Sequence, residues 1–191
     1  MSNKISAEEA LAVLRQSSLL HEGSEVEKAV ERMAAEITAV LRDQNPIALC
    51  VMIGGLVPAG MLLPRLEFPL EIDYCHATRY RGATSGGELH WLARPQLDLK
   101  DRVVLIIDDI LDEGHTLAQI IGDCRAQGAR AVYTAVLANK LHDRRISGLK
   151  ADFVGLDVAD HYVFGAGMDY KGWFRNLNGI YAAPEQVDKG A

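Results

Sequence analysis

The chain has 191 residues, 49% of them apolar and 24% charged, with a formal net charge of -6; this is the make-up of one globular domain with a substantial core. The acidic balance speaks against a nucleic-acid binder, whose phosphate contacts want a basic surface, and no stretch reaches the roughly 20 apolar residues that span a bilayer. Cys50, Cys75 and Cys124 stand in no metal-like spacing, and residues 1–20 carry Glu8 and Glu9 without an unbroken apolar run, so buried thiols, no signal peptide and a cytoplasmic location are expected.

Taken in chain order, Ser6 with Glu9 makes a capping-box pattern ahead of a short helix, and Ser24 with Glu27 repeats it. After the second, Val26, Val30, Met33, Ile37, Val40 and Leu41 recur at steps of three and four, which predicts an amphipathic helix ending near Arg42. Asn45-Pro46 breaks the chain. The continuous apolar run IALCVMI predicts a buried strand over 47–53 that stops at Gly54-Gly55, and LVPAGMLLPRL a short helix. LEIDYCHATRY (70–80) alternates as a strand does, RGATSGG (81–87) is a polar, glycine-rich loop, and ELHWLAR returns as a strand. RVVLIID is the next buried strand, HTLAQIIGDCRAQG a helix closed by Gly128, AVYTAVLANK another apolar strand and ADFVGLDV a shorter one. From His161 the chain reads as an irregular finish with a last short strand near Ile180. Strands and helices in this order, with continuous apolar strands, predict an α/β fold: one mainly parallel sheet flanked by helices on both faces.

The stretch VVLIIDDILDEGHT (103–116) sets the functional question, because it places three carboxylates within five positions at the end of a buried strand. Like charges that close repel, and their desolvation is costly. In an open α/β sheet, ligands bind beyond the carboxyl ends of the strands. Asp108 and Asp109 share one ligand only where the strand curls into its loop, since neighbouring strand residues face opposite sides. The following DEGHT leads into a helix, whose first N–H groups and dipole make a phosphate site; Gly114 permits close approach and Thr116 offers a hydroxyl. Beside a cradled phosphate, two carboxylates accept hydrogen bonds from vicinal hydroxyls or hold Mg²⁺ through water. The implied ligand is a phosphorylated sugar. A structural acidic turn is the plain alternative. Receiver or phosphatase chemistry leaves the Gly-Thr helix entry unexplained, and neither a P-loop nor a dinucleotide-binding glycine motif is present.

VVLIIDDILDEGHTL resembles the signature of the type I phosphoribosyltransferases. With VMIGG, ATRYRGATSGG, VLANK, ADFVGLDV, YVFGAGMDY and GWFRNLN in order, the chain is similar over roughly residues 20–182 to the hypoxanthine-guanine branch. The resemblance implies a Rossmann-like single domain, 1–191, with a small hood from N-terminal residues and roughly 155–191. It implies purine salvage: transfer of the phosphoribosyl group from phosphoribosyl pyrophosphate (PRPP) to hypoxanthine or guanine, giving IMP or GMP and pyrophosphate, with Mg²⁺. By the same resemblance Asp112, Glu113, Gly114, His115 and Thr116 hold the 5'-phosphate, Asp108 and Asp109 the ribose hydroxyls and Mg²⁺, and Asp112 is the general base near purine N7. Lys140 donates to the 6-oxo group, Tyr162 stacks on the base, and Val163 reads its edge. Asp169 sits by the base and reaches a second Mg²⁺. Ile53, Gly54 and Arg175 bind pyrophosphate. Arg79 and Tyr80 begin a flexible loop that closes over the site. Relatives form homodimers or homotetramers; neither nucleic acid nor membrane is an expected partner.

The sequence departs from the family pattern in three places. Ile53 stands where many relatives carry lysine, Arg79-Tyr80 where the loop usually starts Ser-Tyr, and Glu113 and His115 where Thr and Lys are common. Read without the resemblance, Asp112 is a helix N-cap, Lys140 a snorkelling surface lysine and HYVF a core strand. At the level of function, the alternatives are a non-catalytic regulator of the same fold, opposed by the acidic charge and the retained Asp112, and a transferase for uracil, orotate or adenine, opposed by Lys140 and Tyr162.

Overall fold

The computed structural model describes residues 5–79 and 89–184. The elements run α1 (Ala7–Gln16), β1 (Ser18–His21), α2 (Gly23–Leu41), β2 (Ile47–Met52), α3 (Leu56–Leu62), β3 (Glu71–Arg79), β4 (Leu89–Ala93), β5 (Val103–Leu111), α4 (His115–Ala126), β6 (Ala131–Leu141), β7 (Phe153–Ala159), β8 (Val163–Phe164) and β9 (Ile180–Ala182). Six strands form the main sheet in the order β4-β3-β2-β5-β6-β7, with every pairing parallel except β3 with β4. β1, β9 and β8 form a small antiparallel sheet, the hood. Residues 155–159, expected in the hood, lie instead in β7 of the main sheet.

The period of two in the central strands sorts their side chains to the two faces. Ala48, Cys50, Leu105 and Ile107 pack with Val30, Met33 and Ile37 of α2 and with Leu62 of α3. Ile47, Leu49, Val104 and Ile106 pack with Leu117, Ile120 and Cys124 of α4. Burying a large aliphatic side chain of this kind stabilises by about 1.5–3 kcal/mol before conformational entropy is subtracted. A third cluster holds the hood together around Phe164, which stacks on Tyr181 at 5.6 Å.

Ser6 caps α1 as expected: Glu9 N–H donates to Ser6 Oγ at 3.2 Å, and Ser6 N–H to Glu9 Oε2 at 2.7 Å. The second cap does not fall at Ser24. The N-cap is Glu22, two residues earlier, and its N–H donates to Glu25 Oε2 at 2.8 Å in the reciprocal pattern. Two spaced acids do there what Ser and Glu were expected to do, because any side-chain oxygen at this reach satisfies an orphan N–H. The helix after β2 is shorter than expected: its second half, Leu63–Arg65, tightens into a 3-10 turn at Pro64. Gly128 takes φ +84° just past α4, the left-handed C' position. Among the described residues, no helix is long and apolar enough to cross a membrane.

Candidate active site

β5 does not stop at its acids. It remains paired with β6 through Leu111, opposite Asn139, so Asp108 and Asp109 lie inside the strand and the expected end at Asp108 is corrected. The alternation slips instead. Ile107 packs on the α2/α3 side while Leu111, four residues on, packs on the α4 side. That half-turn brings both carboxylates to one cleft without ending the strand.

The cleft, about 430 Å³, is lined by Asp108, Asp109 and the whole of 112–116, together with Ile53, Gly54, Asp169 and Arg175. Burial, then the neighbouring Asp109, pushes the Asp108 carboxyl well above the usual carboxylate range. Burial also raises Asp109, partly offset by the guanidinium of Arg175, whose Nη1 lies 3.4 Å from Asp109 Oδ2. Such a pair is short of positive charge and of hydroxyl donors. Arg175 also donates to the Gly167 carbonyl at 2.6 Å and to Asp169, which in turn accepts Gly172 N–H at 2.6 Å. The chain reaches Gly54 through a cis Met52–Ile53 peptide, and Ile53 is half exposed.

Below the acids, Gly114 takes φ +86° and is the N-cap of α4, with no side chain capping it. Gly114, His115 and Thr116 at the start of α4 line the cleft, and the first N–H groups of a helix are suited to an anion. The N-cap alternative for Asp112 falls, since Gly114 holds that position. Glu113 and His115, which stand where Thr and Lys are common, lean toward each other, Oε2 to Nε2 3.6 Å, both more than 40% exposed.

Asp112 belongs to a different network. Lys140 Nζ donates to its Oδ2 at 2.8 Å and His142 Nε2 lies 2.6 Å from its Oδ1. Burial alone would raise this carboxyl, but the hydrogen bonds and charge of Lys140 and His142 outweigh it and hold Asp112 below its ordinary value. Lys140 is buried and spends its charge on Asp112, so it is no surface snorkel. Arg145 fastens the two segments together: its guanidinium donates to the carbonyls of Asp112 and Leu111 at 3.2 Å and of Lys140 at 2.5 Å. Neither His142 nor Arg145 was singled out in the sequence; the only signal was the density of charge in HDRR (142–145), which follows Lys140 after Leu141.

A second cavity, about 200 Å³, adjoins the first and is lined by Lys140, Tyr162, Val163, Met168, Asp112 and Asp169, with Asp109 and Ile110. Tyr162 meets Tyr170 edge-on at 5.4 Å, which fixes its ring at the cavity wall. All the residues expected around the purine thus share one cavity, and all those expected around phosphate, ribose and pyrophosphate share the other. Arg79 closes β3, and Tyr80 lies outside the described residues. His76 and Thr78 of β3 also line the larger cleft, unanticipated.

The phosphoribosyl transferase domain model matches residues 16–173. The chain is 34% identical to the hypoxanthine-guanine phosphoribosyltransferase of Bacillus subtilis over 80% of this chain and 85% of that one. It is 29% identical to the hypoxanthine-guanine-xanthine phosphoribosyltransferase of Tritrichomonas foetus, over 88% and 92%. A hypoxanthine phosphoribosyltransferase structure from Staphylococcus aureus superposes with a TM-score of 0.83 at 24% identity, covering 89% of this chain and 92% of that one, a likeness of fold. The chain belongs to the phosphoribosyltransferase family, with the type I fold and on its hypoxanthine-guanine branch.

Proposed function

We propose that this protein is a cytoplasmic purine-salvage enzyme that transfers the phosphoribosyl group of PRPP to hypoxanthine or guanine, releasing pyrophosphate. The observation that carries this reading is the pair of adjoining cavities with a common wall of Asp109, Ile110, Asp112 and Asp169. One suits a phosphorylated sugar and a departing anion; the other suits a flat heterocycle. The shared wall is where the new bond has to form.

In the reaction, purine N9 supplies the electron pair to C1 of the ribose while the N7 proton passes to Asp112. The C1–O bond breaks and its bonding pair leaves with pyrophosphate, while the N9 pair becomes the new N9–C1 bond. The start of α4 holds the 5'-phosphate, and Asp108 and Asp109 accept the ribose hydroxyls. Arg175 and the backbone at Ile53-Gly54 receive the pyrophosphate. Lys140 has a donor for a 6-oxo group and no acceptor for the amino group of adenine. Arg79 and Tyr80 start the loop assigned to closure.

The donor set fits Mg²⁺, since Asp108, Asp109 and Asp169 are hard oxygen ligands around one cleft. Among the described residues, no group of three or more His, Cys, Asp or Glu is close enough to form a metal cage unaided. Asp108 and Asp109 would hold the ion on the ribose side and Asp169 on the pyrophosphate side, each jointly with substrate oxygens. Bound there, the ion would neutralise charge on the leaving group.

Copies of the chain pair through the open face of β3 and β4, where Ile72, Tyr74 and Leu92 are 62%, 46% and 56% exposed, giving a homodimer or homotetramer. The test of the function is a panel of hypoxanthine, guanine, xanthine and adenine with PRPP and Mg²⁺, read by pyrophosphate release. Turnover with a 6-oxopurine and none with adenine is expected; pyrophosphate release with adenine alone, or with no base, would sink the assignment.

A further inference from the structure

His142 takes no part in the mechanism above, yet its ring is the most deeply buried group on Asp112. Its side chain is 3% exposed, against 11% for Lys140 and 43% for Asp112. One ring nitrogen, Nδ1, accepts the backbone N–H of Arg144 at 3.1 Å. A nitrogen that accepts carries no proton, so the proton of the neutral ring is on Nε2, which donates to Asp112 Oδ1 at 2.6 Å. The backbone two residues on thus fixes the tautomer.

We propose that His142 is a positioning residue: it ties down Oδ1 of Asp112 so that Oδ2 is the oxygen presented to the purine. The inference rests on Asp112 being the proton acceptor. The two donors on this carboxylate are not equivalent. Lys140 has a long chain at a cavity wall and is offered a new acceptor, the 6-oxo oxygen, when the base arrives. It trades Oδ2 for that oxygen, and the purine N7–H takes its place on Oδ2. Every donor and acceptor is matched before and after. His142 has no such exchange open to it, because both nitrogens of its buried ring are already engaged. Nor does it relay the proton onward: Nε2 is already protonated and Nδ1 faces an N–H donor. The proton therefore stops on Asp112, and His142 remains its one constant partner.

The other charged and titratable groups near this carboxylate are Glu113 beside it in the chain, Arg145 on its backbone, the Arg144–Asp160 pair at 2.7 and 2.8 Å, and Asp109, Asp169 and Tyr162 across the purine cavity. Replacing the ring removes none of these groups, though the Arg144 N–H loses its Nδ1 acceptor. A carboxylate that loses a donor to its charged form titrates at higher pH. The acid limb of kcat, which requires ionised Asp112, then moves upward.

The experiment compares H142F, which keeps a ring without the donor, with H142Q, which returns an amide N–H near the Nε2 position, each alone and with D112N. kcat and KM for PRPP are measured against pH. Expected for H142F are a roughly tenfold lower kcat, an unchanged KM for PRPP and an acid limb at higher pH. H142Q recovers most of the loss, and H142F adds nothing to D112N. Wild-type kcat and acid limb in H142F, equal impairment of H142Q, or multiplying losses in the double variant would each overturn the inference. Near-normal turnover of D112N itself would remove the base assignment, a failure distinct from the others. Should H142F not fold, H142Q decides: near-wild-type turnover with an unmoved acid limb supports the role, and a loss as deep as that of D112N ends it.

Discussion

A Cβ on Gly54 would fall inside the Asp109 carboxylate, and one on Gly167 would meet the Gly54 carbonyl at 2.6 Å. The first loop, the acid pair and the hood loop thus touch where no side chain fits. Gly54→Ala must push Asp109 away from Arg175 and from the cleft. The expected result is a fall of about tenfold or more in kcat/KM for PRPP, with a folded protein by circular dichroism; unchanged kinetics would show that the carboxylate has room to move. Only half of this was legible in the sequence. Gly54-Gly55 marked the end of a strand, because an apolar run meeting two glycines has few other readings. That Asp109 needs the space is a contact between distant segments, which composition and period do not encode. The same holds for His142: its neighbour Lys140 was found because a lysine at the end of an apolar strand is conspicuous, whereas a histidine in a charged loop is not.

At the scale of elements, the helices and central strands followed from their periods, and the misses came where the period is too short to read. β1 has four residues and β8 two, lengths at which alternation carries no signal; they exist because β9 pairs with both. The end of β5 was misplaced because acids are costly in a buried strand, and the chain solves this by slipping its alternation. What keeps the slipped segment in place is the chain after β6. Ile146 N–H donates to the Glu113 carbonyl at 3.0 Å, beside the three carbonyls that Arg145 holds. These groups are partly buried, so removing the guanidinium leaves carbonyls without partners. Arg145→Ala should cost about 2 kcal/mol and lower the thermal midpoint by roughly 4–8 °C. It should also lower kcat at saturating substrate, since Asp112 and Lys140 lose their common anchor. A variant with a lowered midpoint but wild-type kcat would mean that the two side chains keep their register through β5–β6 pairing alone.

For the molecule as a whole, two well-filled cores on either side of one sheet carry an acidic centre that works against them. Asp108 and Asp109 sit at the carboxyl edge of those cores with their carboxyls raised by burial. A group whose pKa is higher folded than unfolded destabilises the fold at pH above the folded value, and the cost is relieved as pH falls through it. Asp108 accepts the Asp109 N–H at 2.9 Å, which an asparagine oxygen does equally well without the charge. Asp108→Asn should therefore stabilise the free protein at neutral pH by about 1 kcal/mol, a rise of roughly 2–4 °C in midpoint. The gain should shrink on acidification, because the wild-type carboxyl takes up its proton there. With PRPP and Mg²⁺ added the order should reverse, since the wild type gains binding energy that the amide forfeits. Thermal unfolding of both proteins at neutral and acid pH, with and without PRPP and Mg²⁺, measures all of these differences. A destabilised Asp108→Asn at neutral pH without ligand would mean that the charge is held by the fold and not by what the fold binds.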